Sequence, residues 1–249
     1  MRAGGAVMTE LMDLSLFMGA SFAAAAVAGL AGFAFGLVAA SVWLHILTPL
    51  QTTTLIVVFG LIVQGYAVWK LRRALKFERL WPFVLGGVLG VPLGVELLRL
   101  IDPVQARRVI GVVLIAFVLY SWWRPSVKLP PTVGRRADGA IGFANGVIGG
   151  ITGLAGIVVT AWCNLRAWPR DEQRTVFQPT GVAIFAMTAL WLGGRGTFDA
   201  PTVKLMLLGL PAILLGVWIG LKLYGRLDEA GFRKVVLGLL LVSGLALLP

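Results

Sequence analysis

The chain of 249 residues holds one cysteine, Cys163, and one histidine, His45. A lone thiol excludes an internal disulfide. One Cys and one His cannot supply the side-chain ligands of a zinc, haem-pair or iron–sulfur site, so no metal or other cofactor is expected. Charge is equally scarce: 13% of residues are Asp, Glu, Lys or Arg, and only 11 are acidic. An ordinary soluble domain carries roughly 25% charged residues, which excludes a single soluble core. There is no G-x-S-x-G elbow, and so few His and Cys leave few nucleophile–base pairs. An enzyme buried in the membrane is therefore disfavoured.

What fills the chain instead is apolar: 58% hydrophobic residues, 32 glycines, 9 tryptophans and a mean hydropathy of +0.90. A membrane helix needs about 20 apolar residues plus a connection, which gives about eight spans here. The punctuation of the apolar runs predicts helices over 19–44, 52–70, 81–100, 107–123, 139–163, 175–193, 202–224 and 231–248. The fold class is all-α, a polytopic integral membrane protein. Glu10 and Asp13 argue against a cleaved signal peptide at the start, whose first region would be basic. The run Ala23–Ala28 resembles a cleavage site, but its segment has an internal counterpart and is expected to remain as helix.

That counterpart belongs to a repeat. At an offset of 120, Gly29, Gly36, Val38 and Pro49 fall on Gly149, Gly156, Val158 and Pro169. At an offset of 126, Gly90, Val91, Gly94, Leu97, Asp102, Arg107 and Val109 fall on Gly216, Val217, Gly220, Leu223, Asp228, Arg233 and Val235. The chain divides into an N-terminal segment 1–18, a four-helix repeat 19–123, a linker 124–138 and a second four-helix repeat 139–249. An even helix count makes both halves enter from one side, as parallel repeats about an axis along the membrane normal.

Lys and Arg number 22 against 11 Asp and Glu. The cations lie in short connectors, where they orient helices against anionic lipid; no basic stripe on a soluble domain points to nucleic acid. Connector Lys70–Trp81 and linker Arg124–Asp138 share a face in an eight-span chain. The positive-inside rule puts them, and both termini, in the cytoplasm of a multi-pass protein of the cell (inner) membrane.

Glycine clusters mark where chemistry can sit. The first predicted helix carries Gly29, Gly32 and Gly36; the fifth carries Asn145, Gly146, Gly149, Gly150, Thr152, Gly153 and Gly156. Glycine eases unwinding, and unwound backbone inside a bilayer persists only where protein or a watery cavity satisfies it. Gly-rich breaks at matching positions of two halves point to a transporter site, and the exposed amides of a broken helix favour an anion. Close helix packing through small residues is the competing reading. On the anion reading the candidate binding residues are Asn145, Gly149, Gly150, Thr152, Gly153, Gly32 and Gly36. Gln51, Arg174 and Gln178, in the polar segments that follow each break, join them.

Arg166 and Arg170 are candidates for an anion-attracting mouth, or for snorkelling to the headgroups. His45 and Glu96 are the candidates for proton coupling. Glu96 and its repeat partner Lys222 either pair across the halves or reach the interface separately.

The Gly-rich break, the proline turn after it and their return in the second half resemble the sulfite exporter TauE/SafE family. So does the run Gly86-Gly-Val-Leu-Gly90-Val-Pro-Leu-Gly94 with Asp102 and Arg107, echoed at Gly216, Gly220, Asp228 and Arg233. The resemblance covers nearly all of the chain after residue 18. It implies eight or so transmembrane helices and transport, here as export, of a small sulfur-containing or organic anion such as sulfite or an organosulfonate. The glycine cluster is diluted in the first helix to Gly32-Phe-Ala-Phe-Gly36, which shifts weight to the fifth. A non-transporting membrane assembly subunit is the rival reading, and a homo-oligomer is compatible with both.

Overall fold

The computed structural model describes residues 2–31, 34–123, 134–223 and 229–248, with side chains except at 2–11, 31, 70, 170, 171, 229–236 and 239. Every regular element among them is a helix: α1 (Arg2–Ala31), α2 (Phe35–Ile46), α3 (Pro49–Leu71), α4 (Phe77–Leu100), α5 (Pro103–Trp123), α6 (Arg135–Thr152), α7 (Ile157–Leu165), α8 (Arg170–Gly194), α9 (Ala200–Leu223) and α10 (Glu229–Ala246). Six of these contain stretches long and apolar enough to cross a membrane: Met12–Leu30, Pro49–Trp69, Phe77–Leu100, Pro103–Trp123, Glu172–Gly194 and Ala200–Leu223. Helix α1 runs from Arg2 through the N-terminal segment into the first repeat's span.

The spans expected over 19–44 and 139–163 are each broken. An α-helix rises 1.5 Å per residue, so a continuous helix would hold Asn145 and Val158 about 20 Å apart. Instead Asn145 Oδ1 accepts the Val158 N–H at 3.2 Å, and its Nδ2 donates to the Ala155 carbonyl at 2.9 Å. Further along, Arg166 of the α7–α8 turn reaches Asp138 in the first turn of α6 at 2.8 Å. So α7 doubles back along α6. The first half does the same: Phe17 of α1 and Trp43 of α2 stack with ring centroids 5.2 Å apart, where a straight helix would separate them by about 39 Å. Each single span is corrected to a hairpin with a long arm and a short return arm.

The reversals decide which helix ends share a face. At one end, here the Asp138 end, Arg79 at the start of α4 pairs with Glu172 at the start of α8 and stands 5.4 Å over the Trp168 ring. Connector 70–81 and the α7–α8 turn therefore lie together, where a straight fifth span would have set them on opposite faces. At the other end, Glu96 near the close of α4 accepts from Arg195 after α8 at 2.6 Å, from Trp191 Nε1 at 2.8 Å and from Arg99 at 3.2 Å. Arg107 in α5 donates to the Leu47 carbonyl after α2, and Ser243 in α10 to the Ser41 carbonyl in α2.

Two expectations fall with this. Helices α4 and α9, which the sequence pairs as repeat partners, run in opposite directions, not in parallel, because α4 ends where α9 begins. The last turns of α10 lie at the Glu96 end, opposite connector 70–81, so that connector and the chain's end do not share a face. The start of α1 is at the Glu96 end too, since α1 runs alongside and in the same direction as α9: Phe22 meets Gly216 and Ala26 meets Gly220.

Missing side chains bring these helices into backbone contact. Gly86, Gly90 and Gly94 on α4 alternate with Gly142, Gly146 and Gly150 on α6, all spaced four apart on one face. A Cβ at Gly90 would strike the Phe143 carbonyl, and one at Gly146 the Gly87 carbonyl. Dispersion and Cα–H···O contacts hold such a seam where lipid offers no hydrophobic drive between helices. Exposed Leu85, Leu89, Leu190, Leu207 and Val242 form an apolar outer surface. Trp69, Trp81, Trp122, Trp123 and Trp218 band it near the Asp138 end, the level at which indoles favour a headgroup interface.

In a Cys163→Ser background, an impermeant thiol reagent should reach Ala74→Cys and Asn164→Cys from one side of the membrane and Val104→Cys from the other. Labelling of Ala74→Cys and Asn164→Cys from opposite sides would restore the straight span.

Candidate functional site

The two breaks meet in the middle of the bundle. Each contains a left-handed residue, Ala34 at φ 76° in the first and Gly153 at φ 71° in the second. The strain at Ala34, of order 1–3 kcal/mol, persists only because surrounding packing fixes it. Gly36, in the first turn of α2, stands so near the second break that a Cβ on it would lie 2.9 Å from Leu154 Cδ2 and 3.4 Å from the Gly153 carbonyl. Between them runs α3, whose Ile56 touches both Gly36 and Gly153 and whose Thr53 hydroxyl donates to the Ile151 carbonyl at 3.1 Å. From the far side α8 presents Ile184 to Gly149 and Gly181 to the Ala155 carbonyl.

Side chains hold the second break open. Asn145, fully buried, brackets it through Ala155 and Val158. Thr152 accepts the Leu154 N–H at 3.0 Å and donates to the Ile148 carbonyl. Both are thus tied to backbone within the break. A helix start leaves its first-turn amides without an intrahelical acceptor; in α7 the Asn145 Oδ1 already takes one of them, the Val158 N–H. These two short helices leave the breaks in opposite directions, α2 toward the Glu96 end and α7 toward the Asp138 end. Both positive dipole ends therefore face the centre.

The sequence-derived candidates divide accordingly. Gly36, Asn145, Gly149, Thr152 and Gly153 come together. Gly150 lies on the α4 seam, where a Cβ would be 2.9 Å from the Val91 carbonyl; a bulky residue there parts two helices before it can obstruct a ligand. Gln178 is buried in α8 just before Pro179, and Thr180 bonds the Val176 carbonyl one turn back. Arg174 is half-buried in the second turn of α8. Gln51 stands apart, closing a capping box with Thr48 at the start of α3. Gly32 and the Arg170 side chain lie outside the described residues.

The remaining polar candidates lie outside the breaks. Arg166 is no free mouth cation: its guanidinium is mostly buried against Asp138 and stacks on Trp168 at 5.0 Å. Glu96 sits in the ion-pair network at its own end of the bundle, and Lys222 is 3.7 Å over the Trp218 ring, so the two do not pair. His45 is exposed at the end of α2.

Asp138 escaped the sequence reading. It is buried and accepts from both Trp162 Nε1 and Arg166 at 2.8 Å. The available signal was the four-residue spacing of Trp162 and Arg166, which sets both on one face behind an isolated acid. Trp43 also went unremarked. It is fully buried among Phe17, Phe35 and Phe59, and its Nε1, like the hydroxyls of Thr52 and Thr188, has no partner among the described residues.

Asn145→Leu should leave the Ala155 carbonyl and Val158 N–H unpaired, at about 1–3 kcal/mol each. A markedly lower melting temperature of the detergent-solubilised protein is the expected outcome. Wild-type stability would mean the break does not depend on Asn145.

No match was found among curated proteins or among solved structures. The profile of the family described as "Sulfite exporter TauE/SafE" matches residues 17–247, nearly the whole chain and both breaks. By that match, the chain belongs to the TauE/SafE sulfite exporter family.

Proposed function

We propose that the protein carries a small oxyanion, sulfite or a small organosulfonate, across the cell membrane and binds it where the first turns of α2 and α7 meet. The observation that carries this reading is the approach of Gly36 to Gly153 and Leu154, which brings two positive helix ends to one place. An anion entering an apolar interior loses hydration, and one helix end returns only about 0.3–2 kcal/mol. Two ends at one place return more. The indole N–H of Trp43 and the hydroxyl of Thr52 are further buried donors in the same half of the bundle.

Eight long helices (α1, α3, α4, α5, α6, α8, α9 and α10) make the crossings in this reading, and α2 and α7 are return arms. The halves α1–α5 and α6–α10 are then inverted repeats. Support comes from crosswise pairing: α4 of the first half lies on α6 of the second, and α9 on α1. Counted with its return arm, each half makes five passes, an odd number, so the second begins on the opposite face from the first. The Asp138 end is assigned to the cytoplasm and both termini to the other side. Among the described residues that end carries Arg72, Arg73, Lys76, Arg79, Arg135, Arg136, Arg166, Arg174 and Lys222, against Arg99, Arg107, Arg108, Arg195 and Lys204 opposite.

Arg174 is the cation assigned to substrate, one turn before Gln178 on the same helix face. A charge-assisted contact contributes about 1.5–3 kcal/mol, so in proteoliposomes Arg174→Gln should raise the half-saturating sulfite concentration about tenfold or more. Arg174→Lys should recover part, lacking the bidentate fork. Unchanged half-saturation in Arg174→Gln would remove Arg174 from the site. A wild-type protein that moves no sulfur oxyanion would favour the assembly-subunit reading.

A further inference from the structure

On the outside of the bundle, a groove of about 330 Å³ runs between α4 and α6, away from the breaks. Trp81, Leu85 and Leu89 form one wall at helical spacing and Phe143 the other; Gly86 and Gly139 are the floor. The same glycines that let the two backbones touch leave this furrow along the seam. Its walls are exposed: Leu85 at 53%, Leu89 at 62% and Phe143 at 41%. At its mouth, in the first turn of α6, stand Arg135 and Arg136. Both are exposed, and neither has an ion-pair partner among the described residues.

We propose that this groove is a binding site for an anionic phospholipid, its phosphate held by Arg135 and Arg136 and one acyl chain laid over Gly86 and Gly139. The direction of the groove selects the ligand class. It begins at the level of the Trp81 indole, among the tryptophans of the interfacial band, and runs inward between exposed leucines, where only acyl chains are available as apolar partners. Two unpaired guanidiniums at the mouth match a phosphodiester and a net negative headgroup, and the start of α6 adds its positive dipole end. A zwitterionic lipid fits the furrow but brings a cation to the two arginines. Bound there, the lipid would clamp α4 to α6 along their glycine seam.

The geometry supplies a groove-filling variant. A Cβ on Gly139 would meet only the Pro82 carbonyl, at 3.8 Å, so a larger side chain has room and enters the furrow without parting the helices. The test is native mass spectrometry of the full-length protein, released from micelles doped with equal phosphatidylglycerol and phosphatidylcholine. Phosphatidylglycerol should be retained in clear preference. Arg135→Gln/Arg136→Gln should weaken its retention by about thirtyfold, at about fivefold per basic residue. Gly139→Leu should abolish retention with both arginines present, while the protein elutes as the same single species. Equal retention of the two lipids by wild type would overturn the site. So would phosphatidylglycerol retention in Gly139→Leu equal to wild type, since it would leave surface charge alone as the cause.

Discussion

A chain that reverses inside an apolar slab must find partners for every backbone group its broken helices release, with no water to help. Asn145 meets that requirement for the second break with one side chain, taking the Ala155 carbonyl and the Val158 amide where the chain turns back past it. Thr152 and Thr53 secure the strands of chain on either side. Once the reversal is held, the rest is determined: α7 must return toward the face it came from, Arg166 arrives at Asp138, and α8 starts beside α4. The unusual polarity of a mostly apolar helix is explained by that single task. It also limits what Asn145 can offer a ligand, since both ends of its amide are engaged.

The glycines divide between two duties that look alike along the chain. Those spaced by four on α4 and α6 remove side chains so that backbones can touch, and Gly150 belongs with them. Gly153 permits a left-handed turn, and Gly36 permits the two breaks to approach. Close packing and an unwound break are thus complementary. The α4–α6 seam gives a rigid wall against which the return arm can be held, and a wall of that kind suits a site that binds through fixed amides rather than through mobile side chains.

Much of this was legible in residue order. The glycine clusters and the helical class follow from composition and spacing, and the family from the same motifs. Both breaks fall inside the runs that glycine marked. The direction of the chain after a break was not legible, because hydropathy reports that a segment is apolar and not which way it travels. Segment 139–163 is long enough for a span, and only tertiary bonds from Asn145 and Asp138 reveal that it is a hairpin. Reversing that one segment inverts the relation expected between the halves and moves the chain's end to the other face from connector 70–81. Arg166 was misread for a related cause: its partner Asp138 is 28 residues away, in a segment that read as linker. Gln51 looked like a polar residue lining a site, but the Thr48-x-x-Gln51 spacing is also that of a capping box, and the cap is what forms.

The central claim is that the starts of α2 and α7 together hold the transported anion. Selenite is close to sulfite in shape and charge, and selenium scatters anomalously, so a crystal of the protein grown with selenite locates the ion without ambiguity. The predicted result is one strong selenium peak between Gly36 and Leu154, within hydrogen-bonding distance of first-turn amides from both helices. A peak at the Asp138–Arg166 pair or among the arginines of the surface, with none between the breaks, would contradict the account.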